Sequence, residues 1–193
     1  MHNYMEKQIS KQPLTMEALV HEPWWNKEMH KDSEYLDAIE EQIERHAVSL
    51  PRGYRNNNPG NIRKGKTQWV GLCRRQKDKE FCQFKSLAMG FRAMLKTLRS
   101  YYESKHLRSL LALITRWAPT ADGNDPLAYA NRVSAQVART IKEPLPHPQG
   151  DKILWVDILL AMAEVENGTN RYYPKGYLRA CANEAWQDVF GPL

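Results

Sequence analysis

Residue Glu166, in the stretch "AMAEVENG", is a carboxylate at the end of an apolar stripe. On a helical projection it follows Trp155, Leu159 and Met162, whereas Glu164 follows Asp157 and Leu160 on a more polar face. Partial desolvation, and the negative end of the helix dipole, both favour a proton on a carboxyl so placed. That is how a general acid is prepared. On this physics alone an ordinary exposed last-turn carboxylate is the better reading, and a catalytic acid the alternative.

A second stretch asks for a purpose. Residues 52 to 63 read "RGYRNNNPGNIR", with more polar and backbone-bending residues than a turn needs. Asn and Gly tolerate left-handed backbone, and amides offer paired donors and acceptors suited to sugar hydroxyls and acetamido groups. Asn57, Asn58 and Asn61, with Asn167 beside the acid, are therefore candidate sugar contacts. A capping Asx turn is the plainer reading and accounts for two of these residues. Trp69, Trp117 and Tyr129 could stack on sugar rings, although aromatics in such blocks more often belong to the core.

A glycosidase needs a second carboxylate to stabilise the developing cation or activate water. Asp78 is the candidate, but its neighbours Lys77 and Lys79 make a surface ion pair an equal reading. Without a second carboxylate, attack by a hydroxyl of the substrate itself, as in a lytic transglycosylase, becomes the better mechanism. A cysteine protease on Cys82 and His106 is disfavoured, because Cys82 alternates with Phe81 and Phe84 and should point inward. The histidines at 2, 21, 30, 46, 106 and 147 never take zinc-binding spacing, so neither metal nor other cofactor is expected.

The elements that must position these groups follow from periodicity. "SLAMGFRAMLKTLRSYYESK" places Leu87, Phe91, Met94, Leu95, Leu98, Tyr101 and Tyr102 on one face, with Ser86 as N-cap. "LRSLLALITRWAP" predicts a helix stopped by Pro119, and "DPLAYANRVSAQVART" one begun by Asp125-Pro126. Pro144, Pro146 and Pro148 make a stiff connector. "DKILWVDILLAMAEVENG" is apolar on most of its circumference, predicting a helix through the interior that Gly168 closes. Between 60 and 84, Trp69, Val70, Leu72, Phe81 and Phe84 alternate with turn formers and predict a small β-hairpin or sheet. Upstream, Leu36, Ile39, Ile43 and Ala47 predict an amphipathic helix capped by Asp32 or Ser33, and Trp24 and Trp25 an anchor for this N-terminal arm.

The 193 residues suit one domain plus an arm. Charge is segregated: residues 1–51 hold 5 Lys/Arg against 10 Asp/Glu (−5), residues 52–108 hold 15 against 3 (+12), and residues 109–193 hold 8 against 9 (−1). The basic middle attracts polyanions, whether nucleic acid or anionic wall polymers, or is simply a solvated face. No apolar run reaches the roughly 20 residues of a membrane span. The N-terminus lacks the layout of a secretory signal. Three cysteines, an odd count, argue for a reducing compartment and read as small core residues.

Seven blocks carry a resemblance: "RGYRNNNPGNIR", Trp69-x-Gly71, Asp78-x-x-Phe81-x-x-Phe84, "GFRA" at Gly90, "RWAP" at Arg116, "DGNDPLAY" and "AMAEVENG". In this order, over about residues 52–180, they resemble a family of phage and prophage proteins. Its members are often labelled virion structural proteins and are assigned a lysozyme-like fold and peptidoglycan-degrading activity. The resemblance implies a mainly α (α+β) lysozyme-like domain at 52–193, a helical bundle around a buried helix, preceded by an acidic helical arm at 1–51. It places the family's late Glu-Asn-Gly on Glu166, Asn167 and Gly168, and so tips the reading of Glu166 toward the general acid. The family's Glu-Asn before the Tyr appears here as Asp122-Gly123-Asn124-Asp125, so a role for that segment carries over only loosely.

The asparagine loop also resembles a stretch lining the sugar cleft of bacterial glucosaminidases, where the catalytic Glu precedes the loop. Glu44 would preserve that order, but it sits in a highly charged helix where desolvation is hard, so Glu166 is preferred. The implied partner is a peptidoglycan glycan strand, with the arm docking to a virion or injection machine. Membrane and nucleic acid are not expected partners. The chain is then made in the bacterial cytoplasm and acts at the wall or in a virion. Peptide-crosslink cleavage on the same scaffold, a non-catalytic polyanion binder and a virion component with a decayed site are the alternatives.

Overall fold

A computed structural model describes residues 50–170, 172, 173 and 176–191 of the chain. The arm helix, Trp24, Trp25 and Glu44 lie outside the described residues. One compact unit takes in Leu50–Asn170 and Gly176–Leu193.

The unit is mainly helical. Its elements are α1 (Arg52–Arg55), α2 (Leu87–Ser104), α3 (Leu110–Trp117), a 3₁₀ turn (Thr120–Asp122), α4 (Pro126–Val137), α5 (Lys152–Asn167) and α6 (Tyr177–Phe190). Caps start them where the sequence indicates. Ser86 accepts from Met89 N, Ser109 from Ala112 N, and Asp125 from Leu127 N and Ala128 N with Pro126 in the first turn. Asp151 caps α5, and Gly168 closes it at φ 78°.

Helix α5 is the spine: Trp155, Ile158, Leu159, Ala161, Met162 and Ala163 are all buried, among α2, α4 and α6. The expected interior helix is therefore present. Helix α6, which the sequence reading did not anticipate, buries Leu178, Cys181, Ala182, Ala185 and Trp186 and packs chiefly on α2. The proline connector runs between these helices as an acceptor strip. Leu145, Pro146 and Pro148 carbonyls accept from Tyr102 Oη, Trp155 Nε1 and Trp186 Nε1, each at 3.1 Å, so every large buried aromatic with a polar tip in this region is satisfied.

Between 60 and 84, two isolated antiparallel bridges, Arg63 with Phe81 and Leu72 with Phe84, stand where a hairpin or sheet was expected. Side chains replace much of the ladder. Asn58 Nδ2 donates to both Ile62 O and Cys82 O at 2.9 Å, while its Oδ1 accepts from Ile62 N at 2.9 Å. Gln76 Nε2 bonds Cys73 O and Gln83 O at 2.8 Å. The segment still has a core, in which Cys82 and Phe84 pack with Ala93 of α2 under Ile62, Trp69, Leu72 and Met89. Among the described residues no helix is long and apolar enough to cross a membrane.

Asn58 is 0% exposed and its side chain makes three bonds to backbone, so Asn58→Ala strands buried N–H and C=O groups. The expected loss is about 2–4 kcal/mol of stability, read as a lower urea midpoint at unchanged slope. An unchanged midpoint would show that water replaces the amide.

Candidate active site

Glu166 occupies the last turn of α5 and is half-buried. Three other segments reach its carboxylate. Trp117, the final residue of α3, donates from Nε1 to Oε1 at 3.0 Å. Tyr129, in α4, donates from its hydroxyl to the same oxygen at 3.0 Å. Asn61, in the loop after α1, donates from Nδ2 to Oε2 at 3.1 Å. Burial first, and then the charge of Glu166, hold the Tyr129 hydroxyl far above the usual phenol range, so it is a donor at every working pH.

The loop that delivers Asn61 is built by the asparagines themselves. Asn57 and Asn61 have φ of 49° and 47°, left-handed values that Asn tolerates better than most residues. Asn58 N bonds Gly53 O at 2.7 Å and Asn61 N bonds Asn58 O at 2.9 Å, closing the turn. Asn167, next to the acid, donates to Pro59 O at 2.7 Å and so ties the loop to the end of α5. Gly53 has no room for a side chain: a Cβ there would lie 2.2 Å from Asn167 Oδ1 and 2.9 Å from Asn61 Oδ1. Gly60 serves Trp117 in the same way, since a Cβ would stand 2.7 Å from its indole.

Glu166 opens onto a cleft of about 400 Å³, within the range of ligand sites. Asn61, Trp69, Tyr101 and Trp117 line it together with Arg63, Phe81, Asp122 and Asn124. The Arg63 guanidinium lies 5.0 Å from the Phe81 ring centroid. Among the described residues no three His, Cys, Asp or Glu side chains converge as a metal would require.

The sequence-predicted residues divide. Glu166, Asn61, Trp69 and Trp117 meet in the cleft. Tyr129 is buried to 8% exposure and meets the acid through its hydroxyl, which makes it a support for the carboxylate and not a stacking platform. Asn57 and Asn58 do not line the cleft: the Asn57 amide donates to Phe84 O, and both N–H groups of Asn58 are spent on Ile62 O and Cys82 O. Asn167 is likewise committed to Pro59 O and Ala163 O. Tyr101 and Asp122, also in the cleft, entered the sequence reading only as part of a helix face and of the loosely matched 122–125 segment, with no site role of their own. Asp122 lies only five residues beyond Trp117, which is the signal that could have found it.

Asp78 is corrected as the second carboxylate. It does not line the cleft, and its two oxygens are taken by Arg52 Nε and Nη2 at 2.8 and 2.9 Å, Asn56 Nδ2 at 2.8 Å, and the Glu80 and Phe81 amides at 2.9 and 3.0 Å. The Arg52 guanidinium first, helped by the Phe81 amide, Asn56 and the Glu80 amide, holds its carboxyl well below the usual range against the opposing effect of burial. A carboxylate so saturated braces the 52–81 segment and has no acceptor site left for a proton from water.

No protein-family model matches the chain. The chain is similar to Protein P5 of Pseudoalteromonas phage PM2, 35% identical over 127 residues that make up 63% of this chain and 74% of that protein.

The folded value of Asp78 lies below the unfolded one of about 3.9, so its pairing stabilises fully above that pH and progressively less as pH falls below it. The melting-temperature gap between the native chain and Asp78→Asn should therefore be constant from about pH 5 to 7 and narrow below about pH 4. A gap that persists unchanged in acid would show that the bridge contributes through geometry alone.

Proposed function

The chain belongs to the phage-protein family that includes Protein P5 of Pseudoalteromonas phage PM2, and from that premise we propose that it is a peptidoglycan-degrading enzyme, a lysozyme or lytic transglycosylase that cleaves the glycan strand with Glu166 as general acid. The observation that carries this reading is a half-buried carboxyl at a cleft, gripped by Trp117, Tyr129 and Asn61. No such convergence is needed for an ordinary last-turn glutamate.

The division of donors suggests how the acid works. Oε1 takes both Trp117 and Tyr129, so it is fixed as the acceptor oxygen. Oε2, bonded by the Asn61 amide, is the oxygen that can carry the acidic proton. Among the described residues Asn61 Oδ1 is buried without a hydrogen-bond partner, so a half-turn of the amide lets the same residue accept from a protonated Oε2. Asn61 thus accommodates both states of the acid. The glycosidic oxygen receives the proton as its bond to the anomeric carbon breaks. Trp69, Trp117 and Tyr101 supply flat apolar walls for sugar rings.

One observation favours a second reading. Arg63, Lys64, Lys66, Arg74, Arg75, Lys77, Lys79 and Lys85 are all exposed along one segment, which suits a module that grips an anionic polymer without cleaving it. Such a binder loses affinity steeply with salt and is indifferent to Glu166.

The deciding experiment is release of soluble muropeptides from purified peptidoglycan by the native chain and by Glu166→Gln. Release should fall by about 10²–10⁴-fold in the variant while its melting temperature stays close to that of the native chain. Equal release by the two would remove Glu166 from the chemistry, and no release by the native chain from any wall type would leave the binding module.

A further inference from the structure

We propose that Asp122 is the second catalytic carboxylate of this cleft and that it acts as the general base that activates water. The inference rests on the glycan-cleaving reading of Glu166 and goes beyond it, since a carboxylate that activates water makes water the nucleophile and inversion the expected outcome.

Glu166 and Asp122 are the two carboxylates among the described residues lining the cleft. Their environments are opposite. Glu166 is half-buried and receives three side-chain donors. Asp122 is exposed, and among the described residues its carboxylate has neither hydrogen bond nor ion pair, so its lone pairs are available to water in the cleft. The reading above gives Glu166 the part of the acid, and the unengaged lone pairs of Asp122 fit it to take a proton from water.

Backbone geometry holds Asp122 in place. Helix α3 stops at Trp117, and a 3₁₀ turn from Thr120 to Asp122 follows Pro119 directly. Asp122 N bonds Pro119 O at 3.1 Å, Gly123 N bonds Thr120 O at 3.0 Å, and Asn124 Nδ2 bonds Pro119 O at 3.3 Å. Gly123, at φ 79°, turns the chain back toward α4. One short segment therefore presents the Trp117 donor to Glu166 and the Asp122 carboxylate to the same cleft. Asp78 cannot take this role, because Arg52 and Asn56 occupy it elsewhere.

The step balances without any further reactant. Asp122 takes a proton from water as the water oxygen bonds to the anomeric carbon. On the opposite face the bond from that carbon to the leaving oxygen breaks, and Glu166 gives its proton to that oxygen. One water is consumed, a reducing-end sugar of inverted configuration is released, and exchange with solvent returns a proton to Glu166 and removes one from Asp122.

The test uses the full chain on purified peptidoglycan, with the native protein, Asp122→Asn, Asp122→Ala and Glu166→Gln compared. The native protein should release reducing-end muropeptides whose new anomer, seen by NMR at early times, is inverted. Asp122→Asn should lose about 10²–10⁴-fold in turnover with an unchanged melting temperature, as expected for an exposed isosteric change. Sodium azide should restore cleavage to Asp122→Ala by supplying a nucleophile that needs no deprotonation, giving the inverted glycosyl azide. A structural role for Asp122 would not respond to azide. Asp122→Asn within about threefold of native turnover while Glu166→Gln is dead would overturn the assignment of Asp122 and leave Glu166 standing. Anhydro-sugar products from the native chain, or a retained anomer, would overturn the water-activating role. No release by the native chain would remove the glycan-cleaving reading and this proposal with it.

Discussion

A carboxyl drawn partly out of water at the C-terminal end of a helix must find hydrogen-bond donors, because the helix offers it only carbonyls. Around Glu166 that requirement organises the whole domain. Helix α3 ends where the Trp117 indole reaches Oε1, α4 brings the Tyr129 hydroxyl to the same atom, and the loop after α1 turns so that Asn61 meets Oε2. The buried spine of α5 then serves to hold one end of one helix at a fixed depth in the cleft wall.

The asparagine loop solves a different problem with the same chemistry. Its backbone lies buried, with Asn56, Asn58, Pro59 and Gly60 all inaccessible, in a region that lacks the regular ladder of a sheet. Amide side chains supply the missing partners, Asn57 to Phe84 O and Asn58 to the Ile62 and Cys82 backbone, while Asn56 donates to the Asp78 carboxylate. Their number answers to backbone satisfaction, and one residue, Asn61, reaches the cleft. Two amide oxygens, on Asn61 and Asn167, have no partner among the described residues, in the same place. Both lie against Gly53, where only a Cα–H can approach.

Much of the helical frame was legible because caps and periodicity agreed. Ser86, Asp125-Pro126 and Gly168 marked boundaries that α2, α4 and α5 observe. Helix α6 carries Leu178, Cys181, Ala182, Ala185 and Trp186 at helical spacing, so its absence from the sequence reading was an omission, not an ambiguity. The segment at 60–84 misled because alternating apolar residues signal a strand only where backbone partners exist, and here side chains take their place. Asp78 misled for a related reason: its lysine neighbours are sequence-local, whereas the arginine that claims it lies 26 residues upstream. Glu166 stood out by the apolar stripe it ends, but nothing local could reveal Tyr129 as a donor to it and not a sugar platform, since that depends on a contact across 37 residues.

The contacts on Glu166 span 37, 49 and 105 residues of chain. Closing the longest of these loops costs entropy that no contact local to one segment can offset alone, so the cluster depends on segments far apart in the chain. A nascent chain still on the ribosome, with α5 inside the exit tunnel, already holds the asparagine loop, the indole and the phenol, yet has no carboxyl for them to grip. The site therefore comes into being only once α5 has left the tunnel, and no fragment that stops short of Glu166 can carry it.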